Sequence, residues 1–115
     1  MKHVELPRLQ GSNELTVVAD CAYMNTGEGL HRFVDPEDGE VYLYTQFEVP
    51  DSRRVFAVFE QPDLKATFQF TVTAPASWKV ISNSPTPEPV PSGEGVATWE
   101  FEPTPRISSY ITALI

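Results

Sequence analysis

Histidine is nearly absent from this 115-residue chain, with His3 and His31 as its only imidazoles. Cysteine is rarer still: Cys21 stands alone. A single thiol cannot close an internal disulfide, which fits a reducing compartment. Neither histidine has a second His or Cys at metal-ligand spacing, so a zinc site closed within the chain is not expected. So few imidazoles also leave no Ser-His-Asp set to assemble. Long apolar runs are missing. None approaches the ~18 residues of a membrane-spanning helix, and no signal peptide is visible, so a soluble, cytoplasmic protein is the expectation. Positive charge is scarce as well. Eight Lys and Arg face sixteen Asp and Glu, for a formal net charge of −8. Phosphate recognition needs clustered Lys and Arg, which argues against nucleic acid and anionic membranes as partners. The same balance suits a cationic ligand such as the ammonium of a peptide N-terminus, although acidic surfaces also serve solubility.

What is present points to strands. A hydrophobic content of 41% is too high for disorder, and the length allows one small domain, 1–115. The dominant hydrophobic period is two. Leu15, Val17, Ala19, Cys21 and Tyr23 alternate with Thr16, Val18, Asp20 and Ala22, which predicts a half-buried strand with Cys21 inward and inert. Val41, Leu43, Thr45, Phe47 and Val49 define one face of a second strand, with Tyr42, Tyr44, Gln46 and Glu48 on the other. Ala66, Phe68, Phe70, Val72 and Ala74 define a third. Trp78 to Ser82, Val96 to Phe101 and Ser108 to Ile115 are shorter strands rich in β-branched and aromatic residues.

The connections carry turn chemistry. Asp35-Pro36-Glu37-Asp38-Gly39 is a hairpin turn, with Gly39 supplying a positive φ. Prolines alternate through Ser84 to Pro91, which predicts an extended surface loop, and Ser92-Gly93-Glu94-Gly95 turns the chain into the Trp99 strand. One short helix is expected within Asp51 to Phe59, started at Pro50 and stopped by Pro62. The fold class is therefore all-β, an antiparallel β-sandwich or a curved, saddle-like sheet. Both ends read as cut, and the unpaired edges of an incomplete sheet predict self-association through the first strand or Ser108 to Ile115.

The most specific pattern lies between Tyr44 and Ala66. Gln46 and Glu48 stand two apart on a strand; Ser52-Arg53-Arg54, Phe59-Glu60-Gln61-Pro62 and Lys65-Ala66 follow in order. This block resembles the non-catalytic N-terminal domain of the zinc aminopeptidase N family, specifically the later half of that domain. The Gly27-Glu28-Gly29-Leu30-His31-Arg32 stretch resembles a loop that lies near the substrate domain interface in that family, although tight turns alone explain its glycines. The family's His-Glu-x-x-His motif is absent here, so the chain looks like a piece of an enzyme and is expected to be inactive alone, with the zinc in a missing catalytic domain.

The resemblance implies that Gln46 and Glu48 bind the free amino terminus of a peptide substrate. The chemistry suits that role. An α-ammonium carries a charge and three donors, so a carboxylate plus a neutral acceptor receives it well. No catalytic residue and no metal ligand is assigned to the chain. Arg53 and Arg54 are expected in structural ion pairs with Asp51 and Glu60, and Phe56, Val58 and Phe59 in the core. Asp35, Asp38 and Glu40 could approach a calcium ion, but they lack the rhythm of an EF-hand loop, and a solvated hairpin is the simpler reading. A stand-alone β-sandwich binding or adhesion module is the competing function, and it gives no reason for the ordered Gln46 to Ala66 block.

Overall fold

A computed structural model describes residues 5–115, so His3 lies outside the described part. Among the described residues the chain builds two antiparallel sheets and no closed barrel. The first is a hairpin of β1 (Gly29–Val34) and β2 (Val41–Gln46). Its turn is the one expected: Gly39 sits at φ 73°, donates its N–H to the Asp35 carbonyl, and Asp35 N–H closes on the Glu40 carbonyl. The second sheet has order β3-β5-β4, from β3 (Thr71–Pro75), β4 (Val90–Gly93) and β5 (Val96–Glu100). Gly95, at φ 68°, lies in the β4–β5 turn. Among the described residues, no helix is long and apolar enough to cross a membrane.

Period-two alternation places the core. β5 is the central strand of its sheet, and Ala97, Trp99 and the following Phe101 all point inward, joined by Val80. Phe70, Val72, Ala74 and Leu114 pack around them. A smaller aromatic cluster lies elsewhere: Phe47, 3% exposed, meets Phe56 edge-on at 5.6 Å, and Phe56 meets Phe68 at 6.0 Å. The last residues tie the parts together. Leu114 exchanges two hydrogen bonds with Thr45 of β2, and Ile115 exchanges two backbone bonds with Ile81 beside Val80.

Several elements differ from expectation. Leu15 to Tyr23 is extended but joins no sheet among the described residues, and Leu15, Val17 and Tyr23 are more than half exposed. Alternation specifies a face, whereas a strand also needs a neighbour, and no described segment supplies one. Leu15, Val17, Ala19 and Cys21 do share one side, lining a groove opposite Val55 to Phe59. Cys21 is exposed, not buried, and its S–H lies 3.3 Å from the Val55 carbonyl. The second strand stops at Gln46 instead of Val49. The expected helix is one 3-10 turn, Asp51–Arg54, because the Val55 to Phe59 run that follows favours extended backbone. Phe59 is 70% exposed, while Phe56 and Val58 are half-buried.

The expected terminal strand is instead a 3-10 turn at Ser109–Ile111 followed by a short tail in which only Leu114 bridges, to Ser82. Trp78 to Ser82 makes only that bridge, and the proline-rich loop ends earlier than expected because Val90 and Pro91 open β4. β4 is an edge strand, where proline's missing N–H is tolerated.

Candidate functional site

Hairpin register builds the site. β1 and β2 pair Gly29 with Gln46, His31 with Tyr44 and Phe33 with Tyr42, so these six residues share one face. The rings form a continuous stripe. His31 lies 4.9 Å from Tyr44, and Phe33 stacks on Tyr42 at 5.4 Å. His31 is held by its neighbour turn, with Nδ1 accepting the Gly27 N–H at 2.9 Å. At the hairpin tip the Tyr42 hydroxyl donates to Asp38 at 2.7 Å, which draws the Asp38 carboxyl below its usual range and raises the Tyr42 phenol above its own.

Gln46 ends the stripe. Its Oε1 accepts the Glu48 backbone N–H at 2.9 Å, and its Nε2 stands 3.4 Å from Glu48 Oε2. Phe47 between them is buried, so both polar side chains are turned away from the aromatic cluster that Phe47 enters. Glu48 occupies the turn after β2 and is exposed. The structure therefore brings the two expected site residues into contact, with Glu48 beyond the strand end. An exposed carboxylate beside an amide oxygen whose direction is already fixed can receive a cationic donor.

Of the two arginines Arg53 and Arg54, Arg54 carries the ion pairs found among the described residues. Arg54 donates from Nε to Asp51 at 2.8 Å and from Nη2 to Glu28 at 3.1 Å, and Asp51 raises the guanidinium's already high pKa. Glu60 is not an arginine partner, contrary to expectation. It accepts the hydroxyl of fully buried Ser52 at 2.5 Å, and Ser109 Oγ lies 3.4 Å from its other oxygen. Serines hold it because it faces the junction of the two 3-10 turns. Glu28 and Ser52 were the members that sequence reasoning missed. Counting outward from the Asp35–Gly39 turn would have set Gly29 opposite Gln46 and brought Glu28 beside the site.

The Asp35 and Asp38 carboxylates serve the hairpin, accepting the backbone N–H of Glu37 and Glu40 respectively. Among the described residues, no three His, Cys, Asp or Glu side chains are grouped as metal ligands.

The sequence profile of the Peptidase M1 N-terminal domain matches residues 3–111. The chain belongs to that family. Residues 3–111 of this M1 N-terminal domain take in the whole Gln46 to Ala66 block. It is 77% identical over 107 residues to Aminopeptidase N of Streptomyces lividans, covering 93% of this chain and 12% of that protein. It is 36% identical over 111 residues to Aminopeptidase N of Acetobacter pasteurianus, covering 92% of this chain and 31% of the relative. Probable aminopeptidase 1 of Sulfurisphaera tokodaii is 39% identical over 82 residues, or 71% of this chain and 10% of that protein. The M1 domain described here thus spans a minor part of the length of each.

Proposed function

We propose that this chain is part of a zinc metallo-aminopeptidase and that Gln46 and Glu48 anchor the free amino terminus of its peptide substrate. The observation that carries this reading is the contact between the Gln46 amide and the exposed Glu48 carboxylate, inside a domain related to proteins named aminopeptidases. Glu48 supplies charge and Gln46 a neutral acceptor. The Gln46 carbonyl keeps a second lone pair while the Glu48 N–H holds the first. An internal peptide bond offers no ammonium, so such a pair selects chain ends.

The zinc implied by the resemblance does not fit the donors described here. His31 Nδ1 is engaged by Gly27, and among the described residues no three candidate ligands converge. By the resemblance, metal and hydrolysis belong to the remainder of the parent protein. This chain's share is to bind and orient the substrate.

The test is a set of variants in the full-length enzyme, assayed as kcat/KM on dipeptides beside thermal stability. Removing a charge-assisted hydrogen bond costs about 1.5–3 kcal/mol, so Glu48→Ala should lower kcat/KM by roughly one to two decades. Glu48→Gln should be milder, because an amide oxygen still accepts, and Gln46→Ala should fall below Glu48→Ala. Unchanged kcat/KM with a lowered Tm in Glu48→Ala would make Glu48 structural and end the anchoring proposal.

A further inference from the structure

We propose that Arg54 is a positioning residue for the Gln46–Glu48 acceptor pair, bracing the Gly27–Gly29 turn against the 3-10 turn that follows Glu48. This role rests on the amine-anchoring reading and adds the group that fixes the anchor's geometry. Glu48 lies outside β2, in a turn whose own bonds are few. Its N–H goes to the Gln46 side chain, and its carbonyl accepts the Asp51 N–H at 3.3 Å. A site on such a turn needs support from outside it.

Arg54 provides that support through three contacts. Nε binds Asp51, three residues after Glu48, and Nη2 binds Glu28 on the neighbouring turn. Its aliphatic stem crosses Gly29, where a Cβ would come within 3.1 Å of Arg54 Cδ and 3.2 Å of its Cβ. Gly29 is the β-partner of Gln46. One side chain therefore touches the backbone opposite the first acceptor and a carboxylate just beyond the second.

The residue types suit the geometry. Two donors on different nitrogens of a planar guanidinium reach two carboxylates at once, which a lysine's single ammonium does less well. Gly29 has φ 65°, and a Cβ there would be both strained and crowded against the arginine stem. Both ion pairs are partly exposed, with Arg54 and Glu28 side chains 39% and 49% accessible. Pairs of that kind add little to global stability, so their worth lies in where they hold the turn.

The experiment uses the full-length aminopeptidase with a dipeptide series. Arg54→Met keeps the stem and removes the fork; it should raise KM about 3- to 10-fold with kcat held within about twofold. Arg54→Lys should recover part of that loss. In a Glu48→Ala background, Arg54→Met should add nothing to KM, because a positioning residue acts only through the group it positions. Glu28→Gln, with the arginine intact, should raise KM in the same direction and serves as the second variant if Arg54→Met fails to fold. An unchanged KM in Arg54→Met and Glu28→Gln, alongside a raised KM in Glu48→Ala, overturns the brace and leaves the anchor standing. Effects of Arg54→Met and Glu48→Ala that multiply also overturn it. An unchanged kcat/KM in Glu48→Ala removes the anchor, and the brace with it.

Discussion

Ser52 is fully buried, and its hydroxyl donates to Glu60 Oε2 at 2.5 Å, while Ser109 Oγ stands 3.2 Å from Ser52 Oγ. Ser52→Ala removes the closest donor to a half-buried carboxylate without altering backbone preference much. A hydrogen bond to a charged group contributes about 1.5–3 kcal/mol. The lower end applies, because Ser109 can shift its hydroxyl from 3.4 Å towards the same carboxylate. With a urea slope of roughly 2 kcal/mol/M, a loss of about 2 kcal/mol moves the unfolding midpoint by about 1 M. Ser109→Ala gives up a longer, weaker bond and should cost about 0.5–1.5 kcal/mol. The assay is equilibrium urea unfolding of both variants, followed by tryptophan fluorescence. Equal losses, or a larger loss for Ser109→Ala, would show that Glu60 does not depend on Ser52, and the reasoning from distance would fail.

Phe101 is 1% exposed at the centre of the larger cluster. Phe101→Ala should cost about 3–5 kcal/mol, a large share of the stability of a chain this size, and calorimetry would show it as a depressed Tm. The Tyr42–Asp38 bond should be visible in carboxyl NMR. The folded Asp38 pKa lies below 3.8, so that contribution is complete above the ordinary value and lost as pH falls through the folded one. The phenol pKa lies above 10.0, so its contribution is complete below that value and lost as pH rises through the folded one. Tyr42→Phe should bring the Asp38 titration up towards 3.8; an unmoved curve would mean the hydroxyl is not its partner.

Legibility from sequence varied with how local the cause was. The Asp35–Gly39 turn and the β5 alternation were readable, because glycine φ and period two are decided within a few residues. The inward Phe47 followed from the same alternation. Leu15 to Tyr23 shows the limit: its pattern is as regular as that of β5, yet no described strand stands beside it. The wrong partner assigned to Glu60 has a similar origin. Opposite charges near in sequence suggested an ion pair, while the fold places there the hydroxyls of Ser52 and of Ser109, forty-nine residues away. Family resemblance supplied Gln46 and Glu48 as candidates and noted the Gly27 to Arg32 stretch, while the hairpin register is what sets Gly29, next to Glu28, opposite Gln46.

The two bonds between Leu114 and Thr45 have a mechanical side. Thr45 is the residue before Gln46, and Ile115, next to Leu114, is stitched to Ile81 beside the buried Val80. A tug on the last two residues is therefore shared between the hairpin and the larger core. Force applied at Leu114 would reach the strand that ends in Gln46 with a lever arm of a single residue.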